Sequence, residues 1–157
     1  MTDPLTLAVN LEKIYGHRLD EPIIYTQGVA VSARVKLQNL VQVSPDTLSG
    51  IIEVVAPFVS DPTKIFTPKS GTANYAGIGW TEEMAEATGK DKYANLLVMT
   101  ADKFTENTKD NPISYPLDPD VRVEDMFFAS LVLGKAFKRT GNERYAEVLK
   151  NFLIACD

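Results

Sequence analysis

A twelve-residue stretch recurs in this chain at a fixed offset of 52 residues. Glu86-Ala-Thr-Gly-Lys-Asp-Lys-Tyr-Ala-Asn-Leu-Leu97 returns as Lys138-Arg-Thr-Gly-Asn-Glu-Arg-Tyr-Ala-Glu-Val-Leu149, with Thr88, Gly89, Tyr93, Ala94 and Leu97 matching Thr140, Gly141, Tyr145, Ala146 and Leu149. Self-similarity at such a period implies stacked supersecondary units, none of which buries its apolar face alone. Function is then sought where the copies differ.

The unit reads as two helices joined by a glycine turn. Asn74 to Ala87 and Val123 to Phe137 are of helix length, and both run into Thr-Gly. Glycine just past a helix enters the left-handed conformation without steric cost. Acids then open the next helix, Asp91 and Glu143, where they meet its positive end. Tyr93, Leu96, Leu97, Thr100, Ala101 and Phe104 recur at helical spacing, as do Tyr145, Val148, Leu149, Phe152 and Leu153. The expected unit is an αα-hairpin.

A more divergent first pair fits the scheme. Gly28 to Leu40 reads as a helix with Val29, Ala33, Leu37 and Leu40 on its face. Ser44-Pro45-Asp46 suits the start of another, with Ser44 as cap and Pro45 in the first turn. Pro57 is expected to end or kink that helix near Ala56. Pro4 to Tyr15 reads as a short amphipathic helix. The stretches 60–72 and 105–119 are loop by composition and should gather at one end of the array. The fold expected is therefore all-α: about three tandem αα-hairpins in one domain over residues 1–157.

Bulk properties exclude several classes. No apolar run approaches the ~20 residues that span a bilayer. A net charge of −5 without a basic run argues against nucleic acid. Arg34, Lys36, Arg122, Lys138 and Arg139 are scattered and read as solvated helix faces. Met1-Thr2-Asp3-Pro4 has neither the basic nor the apolar region of a leader, and the single Cys156 fits a reducing compartment. The expected location is the cytoplasm, or the periplasm if a leader has been removed. His17 is the only histidine, so no metal cluster or cofactor is expected. Ile154-Ala155-Cys156-Asp157 sits inside an apolar helical pattern without a stop signal. A neighbour is expected to complete the array, whether a missing C-terminal half or another copy.

Three stretches resemble the unsaturated glucuronyl and rhamnogalacturonyl hydrolases, glycosidases with an (α/α)6 six-hairpin barrel. They are Tyr25-Thr26-Gln27-Gly28-Val29, Asn74-Tyr75-Ala76-Gly77-Ile78-Gly79-Trp80, and Val123-Glu124-Asp125-Met126-Phe127-Phe128 followed by Thr140-Gly141-Asn142-Glu143-Arg144-Tyr145. The resemblance spans roughly residues 20–157, about half of such a barrel. It implies a substrate ending in a 4,5-unsaturated uronic acid, an oligosaccharide left by a polysaccharide lyase. It also implies catalysis by protonation at C4 and addition of water at C5. Asp125 is then the proton donor.

The residues bear on these implications independently. Asp125 extends the apolar stripe of Ala129, Val132 and Ala136, away from the charged Lys135 and Lys138, and its equivalent one copy earlier is Ala73. The alternative role for Asp125 is an acid in a helix's first turn, although Asp118 and Asp120 are already candidate caps. Tyr25, Asn74, Tyr75 and Trp80 are the candidate substrate-binding residues, with core packing the alternative for the aromatic rings. The family pattern has a second acid in the middle segment, where this chain has none; Glu82 and Glu83 are the nearest. A non-catalytic helical scaffold and another (α/α)6 sugar enzyme, an epimerase or mannanase-like hydrolase, remain the rivals.

Overall fold

The computed structural model of the chain describes residues 3–41, 45–67, 70–104 and 123–155, and these are all-helical, with no strand among them. In order they form α1 (Pro4–Glu12), α2 (Tyr25–Val41), α3 (Pro45–Ser60), a 3₁₀ turn (Pro62–Lys64), α4 (Thr72–Tyr75), a second 3₁₀ turn (Ala76–Ile78), α5 (Thr81–Thr88), α6 (Asp91–Lys103), α7 (Val123–Thr140) and α8 (Glu143–Ala155). The expected cap Ser44, the loop residues 105–119, Asp120, Arg122 and Cys156 lie outside the described residues. None of the described helices is long and apolar enough to cross a membrane.

Consecutive helices pack in pairs: α2 with α3, α5 with α6, and α7 with α8. The pairs also contact one another. The helix α2 lies against α5 and the Ala76–Ile78 turn, and α7 lies against α4, that same turn and α6. One apolar core joins them through Val31, Val55, Trp80, Leu97, Val132 and Phe152. Each such side chain contributes roughly 1.5–3 kcal/mol by leaving water.

The repeated Thr-Gly has one structural role in both copies. Gly89 and Gly141 adopt φ of 65° and 67°, and their N–H groups bond back to the carbonyls of Ala85 and Phe137. The threonine hydroxyl donates to the carbonyl four residues earlier, Thr88 to Met84 at 2.6 Å and Thr140 to Ala136 at 2.8 Å. The same hydroxyls accept from the N–H groups of Lys90 and Asn142. Threonine thus closes the helix end while glycine turns the chain. The following Tyr93 and Tyr145 are both buried.

Several sequence expectations need correcting. The helix α2 starts at Tyr25 rather than Gly28, and its core side is Val31, Val35 and Leu37. Of the stripe expected to be buried, Val29 is half in water and Leu40 is 76% exposed. Two apolar stripes compete on this helix, and the one carrying Val31 and Val35 meets the core. Arg34 is not solvated either: its guanidinium is sealed between Glu12 Oε1, at 2.9 Å, and the Gly16 carbonyl, at 2.8 Å, and ties α1 to α2.

Of the two outcomes expected at Pro57, an end or a kink, the end does not occur: α3 continues to Ser60. Ala56 and Pro57 face water while Val55 and Phe58 are in the core. The carbonyl that loses its partner to proline therefore lies on the solvated side, and burial of the flanking pair holds the last turn.

Residues 74–87 are not one helix. The path is α4, the 3₁₀ turn and then α5. The break lies where α2 crosses. A Cβ on Gly28 would stand 2.2 Å from the Gly77 carbonyl oxygen, and one on Gly77 would stand 2.8 Å from Ile23 Cγ1. Backbone meets backbone here, which a regular helix with side chains cannot allow. Gly28→Ala should therefore cost at least about 1–3 kcal/mol, because carbonyl and helix would both have to shift. Gly134→Ala, in α7 with open space around the new methyl, should stabilise by up to about 1 kcal/mol. Urea unfolding curves of the two variants check the contrast.

Candidate functional site

The three stretches singled out in the sequence meet in space. Tyr25, at the first turn of α2, packs its ring against Phe128 of α7 with centroids 4.6 Å apart. Asn74 of α4 donates through Nδ2 to the Ile23 carbonyl at 2.8 Å, and its Oδ1 accepts from the Gly71 N–H at 2.9 Å. Asp125, in the first turn of α7, accepts a hydrogen bond from the Thr72 hydroxyl at the start of α4. The locus is thus the meeting of three loop-to-helix entrances.

Asp125 is 2% exposed and Thr72 is fully buried. The carboxyl belongs to the inward face of α7 with Phe128, Ala129, Val132 and Ala136, as its register with the apolar stripe implies. A buried carboxyl is costly unless it is hydrogen-bonded, and Thr72 supplies a donor. Thr72 itself went unremarked in the sequence. A threonine beside a glycine in a loop carries no signal until α4 and α7 are seen to touch.

The aromatic candidates divide. Tyr25 is half-buried and keeps part of its ring accessible. Tyr75 and Trp80 are core residues. Tyr75 packs edge-on to Phe66 and Phe104, and Trp80, 0% exposed, packs edge-on to Tyr93. Neither ring has a free face for a sugar, because the break at Gly77 and Gly79 turns both side chains into the core. Asn74 is held at both ends of its amide and acts as a brace between α4 and the chain before α2.

The two acids after Trp80 differ: Glu83 is fully engaged, whereas the buried Oε2 of Glu82 has no hydrogen-bond partner among the described residues. Glu83 is buried and accepts from Lys135 Nζ at 2.7 and 2.8 Å, with Lys36 Nζ at 3.0 Å. Lys135 also donates to the Gly79 carbonyl, so it is not part of a solvated charged face. Burial pushes the Glu83 carboxyl up, but the hydrogen bonds and charge of Lys135, aided by Lys36, outweigh it and hold the group below the usual carboxylate range. Glu82 is buried near Arg139, at 3.8 Å. One signal for this cluster was present in the sequence: Glu83 and Lys135, like Glu86 and Lys138, stand at the repeat offset with opposite charges, and both pairs are ion pairs.

Beside this cluster lies a cleft of about 230 Å³ lined by Val29, Ser32, Lys36, Gly79, Leu131 and Lys135. It is bounded by α2, the turn before α5, and α7. His17 is exposed, with its ring nitrogen 2.8 Å from the Glu12 carbonyl. Among the described residues no three His, Cys, Asp or Glu side chains are placed to hold a metal.

No family model matches the chain, and no curated protein or solved structure matches it.

Glu83→Gln should lower stability at neutral pH by on the order of 2 kcal/mol. That is less than a fully sealed pair would lose, since Lys36 and Lys135 stay partly in water. The sign with pH follows from the depressed carboxyl. Its contribution is present above the unfolded value of about 4.3 and is lost as pH falls through the lower folded value. Unfolding free energies of wild type and Glu83→Gln should therefore converge progressively as pH falls from about 4.3 through the lower folded value, and a gap that does not narrow at all on acidification would contradict the assignment.

Proposed function

We propose that this chain is the N-terminal half of a six-hairpin (α/α)6 toroid that hydrolyses unsaturated uronyl oligosaccharides. Asp125 is its proton donor. The observation that carries this reading is the buried Asp125 carboxyl, bonded by Thr72, where the entrances to α2, α4 and α7 converge. The pairing of α2 with α3, α5 with α6 and α7 with α8 supports the toroid, with α2, the α4–α5 segment and α7 as its inner helices. The single cysteine favours a reducing compartment such as the cytoplasm as its setting.

In this reading the Asp125 carboxyl gives its proton to C4 of the unsaturated ring. A water oxygen bonds to C5, and the proton it sheds returns to the carboxylate. The hemiketal so formed opens and the glycosidic bond is lost. Thr72 positions the carboxyl, and Tyr25 borders the ring of the sugar. Such a proton transfer is worth about 10²–10⁴ in rate.

A second reading, a helical scaffold without catalysis, is favoured by the burial of Tyr75 and Trp80 and by the engagement of Glu83 with two lysines. The two readings part on one assay. Lyase-generated disaccharides should lose the absorbance of their C4=C5 bond in the presence of the toroid. Asp125→Asn should slow that loss by about 10²-fold or more while the far-UV dichroism and thermal midpoint stay close to wild type. A wild-type protein that leaves the absorbance unchanged would end the hydrolase reading. An Asp125→Asn variant of full rate would remove Asp125 from it.

A further inference from the structure

The cleft between α2, the turn before α5 and α7 holds more positive charge than negative. Two ammonium groups, Lys36 and Lys135, face one carboxylate, Glu83. Lys135 by itself satisfies Glu83. Its Nζ donates to both carboxylate oxygens and spends its remaining N–H on the Gly79 carbonyl. Lys36 comes within 3.0 Å of Oε1 as a second cation. An ammonium has three donors, so Lys36 keeps N–H groups with no acceptor among the described residues. The next charges along α5 and α7 do not cancel the surplus, since Glu82 stands opposite Arg139 and Glu86 opposite Lys138.

Ser32 supplies a second, independent observation. It lines the same cleft one helical turn before Lys36, is 9% exposed, and its hydroxyl makes no hydrogen bond among the described residues. Buried hydroxyls ordinarily have a partner, and the open side of this one is the cleft. Residues four apart on a helix are neighbours, so the hydroxyl and the Lys36 ammonium are presented together. The remaining walls are aliphatic, from Val29, Ala33 and Leu131, and Gly79 contributes backbone alone. Both α2 and α7 pack on the turn between them, so the array itself forms the walls. A volume of about 230 Å³ is below the roughly 300–1,000 Å³ of sites for drug-sized ligands. The cleft therefore suits a small molecule.

The geometry points to a binding site for a small organic monocarboxylate. One carboxylate oxygen accepts from Lys36 Nζ and the other from the Ser32 hydroxyl, while a short hydrocarbon body lies against Val29, Ala33 and Leu131. The ligand's single negative charge matches the single surplus positive one, and charge-assisted hydrogen bonds of this kind are the strong ones. Inorganic phosphate has no apolar part and would leave the aliphatic walls uncovered. The site is separate from Asp125, which stands in the first turn of α7, and it does not require the hydrolytic reading.

The test is a titration of the chain with sodium butanoate at constant ionic strength, followed in ¹⁵N–¹H correlation spectra. The amides of Ser32, Lys36, Gly79 and Leu131 should shift and saturate with a Kd of about 1–10 mM, as suits so small a ligand. Acetate should bind more weakly, by up to about fourfold for each CH₂ removed. Butanamide, of the same shape without the charge, should bind at least about tenfold more weakly. Lys36→Met should weaken butanoate binding at least about tenfold, and Ser32→Ala several-fold, with helical dichroism unchanged. Lys135 still holds Glu83 in the first variant, and the second removes only a hydroxyl, so both should fold. Shifts that do not saturate, or that saturate at residues away from the cleft, would overturn the inference. So would wild-type affinity in either variant, butanamide binding as tightly as butanoate, or inorganic phosphate binding more tightly than butanoate.

Discussion

The approach of α2 to the Ala76–Ile78 turn, backbone against backbone at Gly28 and Gly77, is the contact from which most of this structure follows. With no side chain between them, the two segments come closer than ordinary helix packing allows. Ile23 then packs on Gly77, and Asn74 reaches the Ile23 carbonyl. The helix that would run from Asn74 is broken at the crossing. Its continuation enters α5 with Tyr75 and Trp80 turned inward. The same crossing leaves the start of α4 free to meet α7, and so brings Thr72 to Asp125.

The buried charge pairs stand at the joints between helices. Arg34 and Glu12 join α1 to α2, while Glu83 joins α5 to α7 through Lys135 and to α2 through Lys36. Burying such groups adds little net stability over apolar packing. A slipped register, however, would leave Glu83 facing apolar side chains with its charge unmet. The Glu83–Lys135 pair falls on the repeat offset and favours the observed alignment of α5 and α7. The buried hydrogen bond of Thr72 to Asp125 acts in the same direction at the other end of α7.

Legibility in the sequence varied with the range of the interaction. The turns at Gly89 and Gly141 and the acids Asp91 and Glu143 were readable because each acts within a few residues of itself. So was the inward face of α7, where Asp125, Ala129, Val132 and Ala136 share one helical stripe. The face of α2 was misread, since its two apolar stripes differ only in which neighbour they meet. The continuity of α3 past Pro57 depended on Val55 and Phe58 finding the core. At the candidate site, Asp125 and Tyr25 are marked chiefly by the family resemblance, with the apolar stripe of α7 and a loop-to-helix entrance beside it. Thr72 has no such mark, and Tyr75 and Trp80 are marked for a surface that they do not reach.

The amino-acid sequence alone determined the helical class, the repeat and its period, and the residues that stop and start the helices around each Thr-Gly turn. These depend on side-chain chemistry acting through neighbouring backbone, over distances of one helical turn. Tertiary structure alone decided that residues 72–88 form two helices rather than one, that Trp80 is core, and that a threonine bonds the Asp125 carboxyl. Each of these requires two segments some fifty residues apart to touch, Gly28 with Gly77 and Thr72 with Asp125. Contact at that separation is set by how helices fit together, which local periodicity does not encode.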